Sequence, residues 1–145
     1  MNNIQIFFEK VQPIKVKKNS IKKQISRVII SESKQVGDIS VIFCSDEYLL
    51  EINRQFLNHD YYTDVITFDY VEGNVVSGDV FISLDRIKEN SLLFHNQAIM
   101  ELYRVVFHGV LHLIGYNDKT LEEIKEMRSK EEHYLNEVDF GGEKL

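Results

Sequence analysis

The sequence predicts an α+β domain in which a small mixed sheet of about four strands packs with about five helices. Two features of the chain carry this expectation. Short apolar runs of strand length fall before Ser83, and from Leu84 onward the apolar residues recur at helical spacing. Strands that come early and helices that come late favour an α+β arrangement over alternating βαβ units.

Taken in order, Ile4 to Phe8 reads as a short apolar strand. Ser20 opens a helix whose Ile21, Ile25, Val28 and Ile29 share one face, with Lys22 and Lys23 off that face. Ile39 to Cys44 is the next strand, and Ser45 or Asp46 can cap a helix that buries Leu49, Ile52 and Phe56. Val65 to Tyr70 and Val75 to Ser83, separated by Glu72-Gly73-Asn74, form a β-hairpin. A short helix follows Ser83, and a strongly apolar one runs from about Asn96 to Ile114. The last helix starts at a capping box of Thr120 and Glu123 and turns Ile124, Met127, Tyr134, Leu135 and Val138 inward.

At 145 residues and 43% hydrophobic content, the chain has the size and core of one domain spanning residues 1–145. Met1-Asn2-Asn3-Ile4 opens no basic leader and no run approaches membrane-spanning length, so a cytoplasmic location without membrane association is expected. The lone Cys44 reads as a small buried hydrophobe. A net charge of −6 argues against a generic nucleic-acid binder, yet the charge is polarised. Lys10, Lys15, Lys17, Lys18, Lys22, Lys23 and Arg27 stand in a stretch without acids, whereas residues 121–139 are rich in Glu. The basic stretch is either a solvated helix face or a phosphate-contacting patch.

The apolar helix should be buried nearly all round, so its polar residues need a reason. At about 100° per residue, Gln97, Glu101, Arg104, His108 and His112 fall within an arc of roughly 80°. Two imidazoles at i and i+4 can each give one nitrogen to a single Zn²⁺. Gly115 permits a left-handed turn at the helix end, and Asp118 can return its carboxylate across it. The pattern His-x-x-x-His-x-x-Gly-x-x-Asp thus places a metal site at the C-terminal end of the buried helix, with His108, His112 and Asp118 as ligands of one zinc per chain. Three protein ligands leave a fourth position open, as in catalytic rather than structural zinc sites. Arg104 and Glu101 either pair with each other across one turn or serve the site.

This spacing is similar to that of zincin peptidases, but the position of their general base holds Gly109, which cannot take a proton. A phosphodiester, for which charge neutralisation matters as much as a positioned base, is a better-suited substrate. His59, His95 and His133 read as solvent-facing, and Asp60, Asp64 and Asp79 as turn and cap residues in preference to cleft residues.

The run from His108 to Asp118 resembles the His-Gly-x-Leu-His-Leu-x-Gly-Tyr-Asp-His motif of the YbeY family of endoribonucleases, which mature bacterial ribosomal RNA. Asn53 to Phe68, with Asp60, Thr63-Asp64-Val65 and Phe68, resembles that family's segment before its hairpin. Gly78 to Ser83 resembles its following strand, and Glu126-Met127 and Glu131 fit its last helix. Two positions depart from the family: Asp118 stands where it has a third histidine, and Leu57 where it has an arginine. The resemblance implies a single-strand-acting, zinc-dependent endoribonuclease in maturation of small-subunit (16S) ribosomal RNA and ribosome quality control. It implies ribosomal RNA and the small subunit as partners. Arg104 and Arg54 are the candidates to replace the missing arginine, and Lys17, Lys18, Lys22 and Lys23 the candidates to hold the RNA backbone. Two rivals remain: a metal-dependent hydrolase of another substrate, peptide included, and a non-catalytic ribosome-associated RNA-binding module. A peptidase assay separates the first, and binding of ribosomal RNA without cleavage would mark the second.

Overall fold

In a computed structural model, which describes residues 3–59, 63–143 and 145, four strands form one sheet and five helices pack around it. In chain order these are β1 (Asn3–Glu9), α1 (Lys18–Ser31), β2 (Gln35–Cys44), α2 (Asp46–Leu57), β3 (Val65–Asp69), β4 (Val75–Ser83), α3 (Leu84–Leu93), α4 (Ala98–Ile114) and α5 (Leu121–Leu135). The sheet order is β1-β2-β4-β3, with β1, β2 and β4 parallel and β3 antiparallel to β4 as the expected hairpin. The sheet is therefore mixed, as the sequence predicts.

Alternation of side chains along the strands divides the core in two. Ile4, Ile6, Ile39, Val41, Phe43, Val76, Val80 and Ile82 join one buried cluster with the apolar residues of α1 and α4. Cys44, Ile66, Phe68 and Phe81 belong to a second cluster with Leu49 and Ile52 of α2. Burial also pushes the Cys44 thiol up to about 12, so it is an inert core group as expected.

Helix α4 lies close on the β3–β4 part of the sheet because Gly109 faces it. A Cβ there would stand 2.5 Å from Val80 Cγ1 and 3.3 Å from Val65 Cγ2. At the C-terminal end of the helix, Gly115 takes φ +124° and its N–H donates to the carbonyls of Leu111 and His112, so the predicted glycine turn is present.

Several local expectations need correction. Helix α1 begins at Lys18 rather than Ser20, because the Ser20 hydroxyl is engaged with Tyr103 Oη at 2.9 Å instead of capping. The Lys17 N–H donates to Glu143 Oε2 at 3.0 Å, so the C-terminal tail reaches the start of this helix. Strand β2 begins at Gln35, since its first residues pair with the start of β4. Phe56 is 61% exposed and rests edge-on against the Phe68 ring rather than in the core. Ile124 is 43% exposed, and Val138 packs on the core from beyond the end of α5. Ser45 is the cap of α2, and Asp46 instead binds Arg86 and Ser83. No helix among the described residues is long and apolar enough to cross a membrane.

Candidate metal centre

His108 and His112 project from one side of α4, one turn apart, and Asp118 comes back to them across the Gly115 turn. His108 Nε2 and His112 Nε2 are 3.0 Å apart, and Asp118 Oδ2 is 3.1 Å from the first and 3.2 Å from the second. All three ligand atoms lie within 4.8 Å of one another and could hold a metal ion.

The other ring nitrogens show how these three atoms could hold a cation. His108 Nδ1 donates to Glu131 Oε2 at 2.6 Å, and His112 Nδ1 donates to the Tyr116 carbonyl at 3.1 Å. With both protons on Nδ1, each Nε2 presents a lone pair. Two lone pairs and a carboxylate oxygen therefore meet with no hydrogen between them, an arrangement that repels itself unless a cation or an extra proton sits at its centre. A tetrahedral zinc with bonds of 2.0–2.1 Å needs ligand atoms about 3.3 Å apart, close to the edges of this triangle. The donor set fits a zinc-like ion.

Two further groups brace the triangle. Glu131, buried on α5, also accepts from Arg104 Nη1 at 3.5 Å, while Arg104 Nε faces Glu101 at 3.5 Å. Arg104 thus bridges two carboxylates rather than pairing with Glu101 alone. The Tyr116 hydroxyl donates to Glu32 Oε1 at 2.6 Å, and the other oxygen of Glu32 accepts from Tyr134 and, at 3.1 Å, from Lys130. Glu32 ends α1, so the loop carrying Asp118 is tied to α1 and α5 together.

Electrostatics follow from this crowding of carboxylates. Burial works against a charged His108 ring, but the hydrogen bond and charge of Glu131, with Asp64 and Asp118 nearby, outweigh it and raise its pKa above 6.5. Burial raises the carboxyl of Asp64, only partly offset by the His108 ring, and likewise that of Glu101, offset in part by Arg104.

Two cavities meet at His108. One of about 630 Å³ is lined by Arg104, His108, Asp118 and Glu131 and extends to Phe94, Ile124 and Arg128. The other, about 280 Å³, is lined by Asn53, Leu57, His59 and Thr63 with both histidines. Asp64, His108 and Asp118 line both, so Asp64 is a cleft residue rather than only a turn residue.

Among the remaining candidates, Arg104 lies on the wall of the larger cavity, whereas Arg54 is exposed on α2 and is not among the residues lining either. Leu57 does line the smaller one, which makes its position, and not that of Arg54, the cavity-facing one. Lys17, Lys18 and Lys23 are exposed and Lys22 half-buried at the N-terminal part of α1. That end lies about 20 Å along the helix from Glu32, by a rise of 1.5 Å per residue. His95 and His133 are solvent-facing as expected, and His59 is exposed at the cavity edge. Asp79 lies at the groove of Tyr48, Phe56 and Phe68 on the opposite side of the sheet, and Asp60 lies outside the described residues.

Comparison with known proteins matches residues 5–139 to the family model described as Endoribonuclease YbeY. A protein of that name from Parabacteroides distasonis is 49% identical over 132 residues, covering 91% of this chain and 93% of the relative. One from Bacteroides fragilis is 50% identical over 120 residues, with coverage of 83% and 86%. The solution structure of a Thermotoga maritima protein superposes with a TM-score of 0.68 at 33% identity, covering 95% of this chain and 89% of that one.

Proposed function

The chain belongs to the YbeY endoribonuclease family, and from that premise we propose that it is a zinc-dependent endoribonuclease acting on single-stranded RNA in maturation of small-subunit ribosomal RNA and ribosome quality control. The observation that carries the metal part is the meeting of His108 Nε2, His112 Nε2 and Asp118 Oδ2 within 3.2 Å of one another. These three residues would hold the ion, and when bound it supplies a Lewis acid beside the scissile phosphate.

The chain's own residues do the rest. Glu131 and the Tyr116 carbonyl keep both histidine protons on Nδ1, which turns the two Nε2 atoms toward the ion. Arg104, held between Glu101 and Glu131, is the guanidinium placed to meet a substrate phosphate, and Arg54 is the weaker candidate for that task. Asp64, whose carboxyl burial shifts toward the protonated form, faces the reaction space and is suited to hold or pass a proton. Lys17, Lys18, Lys22 and Lys23 would take the RNA backbone at a distance from the chemistry, with affinity that falls steeply as salt rises. In the cell this reading places the protein in the cytoplasm, on the small ribosomal subunit.

The peptidase reading is disfavoured by packing. The position of the peptidase base is Gly109, which is pressed against Val80 and does not face the cleft. The decisive experiment is metal analysis of the purified protein and of Asp118→Ala, coupled to cleavage of ribosomal RNA and of a peptide. One zinc per chain and metal-dependent RNA cleavage in the parent, both lost in the variant, are the expected results. Tight RNA binding without cleavage by the zinc-loaded parent would favour the non-catalytic module.

A further inference from the structure

The larger cavity has a chemistry that the metal centre does not use. Its lining is rich in acids: Asp64, Glu101, Asp118, Glu131 and Glu132 stand with Arg104, Arg128 and His108. Glu101 and Glu131 are already engaged by Arg104, and Glu131 also by His108, so away from the Arg104 guanidinium and the metal centre the remaining carboxylates repel a phosphate. A nucleobase is a different guest. It is neutral, its exocyclic amine donates to carboxylate or amide oxygens, and its faces need an apolar or aromatic neighbour.

The same cavity offers those neighbours. Phe94 and Ile124 line it together with Asn90, Asn96 and Arg128. Phe94 caps the C-terminus of α3, with its N–H bonded to the Asn90 carbonyl, and is 63% exposed. Leu92 and Leu93 before it are 78% and 66% exposed, so the ring belongs to an apolar patch rather than being a lone exposed residue. The cavity is continuous with the metal centre, since His108 and Asp118 line it as well.

We infer that the larger cavity is a nucleobase pocket, in which an unpaired base next to the scissile phosphate stacks on Phe94 while the carboxylate and amide oxygens accept from its exocyclic amine. The inference rests on the ribonuclease reading and adds where one base goes. A base still paired and stacked in an A-form helix cannot present its face to a protein ring, so the pocket requires a single strand. Adenine, guanine and cytosine carry the amine and uracil does not, so the pocket favours the first three.

The chain contains no tryptophan, which makes Phe94→Trp a single reporter inside the pocket. The zinc-loaded variant is titrated with a 2′-O-methyl adenosine ten-mer, a uridine ten-mer and an abasic ribose-phosphate chain of equal length. Indole quenching is expected to be strongest with adenosine, weaker with uridine and absent with the abasic chain. Equal quenching by the abasic chain, or none by adenosine, would overturn the pocket. In a cleavage assay Phe94→Ala should raise KM about tenfold, the equivalent of about 1.4 kcal/mol from one lost base–aromatic stack, with kcat within twofold. Unchanged KM in a parent that cuts RNA removes the pocket and leaves the ribonuclease standing. A parent that cuts no RNA removes the ribonuclease reading, and the fluorescence titration still decides the pocket alone.

Discussion

His108 and His112 are the same residue one turn apart on the same helix, yet they are held in different ways. His108 is fixed by a buried side chain from another helix, Glu131, at 2.6 Å. His112 is fixed by a backbone carbonyl four residues on, Tyr116, at 3.1 Å, and that carbonyl is held by the Tyr116 hydroxyl on Glu32. The first support is a charge-assisted bond in a single step, and the second is a neutral bond steadied through a tethered loop. The difference teaches that one ligand depends on a charge and the other on a position.

The largest effect should erase the contrast. His108→Ala and His112→Ala are each expected to abolish stoichiometric zinc binding in equilibrium dialysis. Chelation of the parent should lower its melting temperature, since an ion held at a thousand times its Kd stabilises by about 4 kcal/mol. A parent that melts alike with and without chelator would break the comparison at its root.

Next comes the charge. Glu131→Ala should weaken zinc binding roughly 10- to 100-fold in competition with a chromophoric chelator, and Glu131→Gln, which keeps an acceptor for His108, should recover most of it. Nitrogen NMR of the metal-free protein should then find only the His108 ring losing its Nδ1–H form in Glu131→Ala. A change at His112 instead would reverse the assignment.

A smaller effect is expected at the position-dependent ligand. Tyr116→Phe cuts the loop from Glu32 and should weaken zinc binding about three- to tenfold, acting through His112 and Asp118. Tyr134→Phe removes another donor to the same carboxylate but leaves the loop attached, so it should lower stability and spare zinc affinity. Equal losses in both would make the cluster a general brace rather than a loop tether.

The smallest effect is a pH signature. Burial raises the Glu32 carboxyl, but Tyr116, Tyr134 and Lys130 outweigh it, and its pKa is lowered from the ordinary 4.5. A lowered folded value means that the contribution to stability is complete above that ordinary value and is lost as pH falls through the lowered one. Thermal scans of the parent and Glu32→Gln should differ by a few degrees at neutral pH and converge in acid.

How much of this was legible depends on where each residue's reason lies. The metal triangle was readable because all its residues fall within one helix and its turn, where spacing translates directly into geometry. The hairpin and the capping box were readable for the same local reason. Glu131 left a signal of the same kind: an acid four residues after Met127 and three before Tyr134, on an otherwise apolar helix face. A lone acid on such a face needs a reason just as His108 does on α4. Asp64 and Phe56 were not legible in this way, because their surroundings are set by contacts between elements far apart in sequence. Phe56 follows the helical stripe of α2, but its ring rests edge-on against Phe68 and stays mostly exposed.

Gly109 shows how far this site lies, in sequence space, from its peptidase lookalikes. A single change of glycine to glutamate would complete their signature on paper. In this fold the new Cβ would stand 2.5 Å from Val80 before any carboxylate was built, and the metal-bearing helix would have to lift from the sheet. The step that is one codon wide in the gene is blocked by a methyl group in the protein, so drift between the two chemistries would have to pass first through β4.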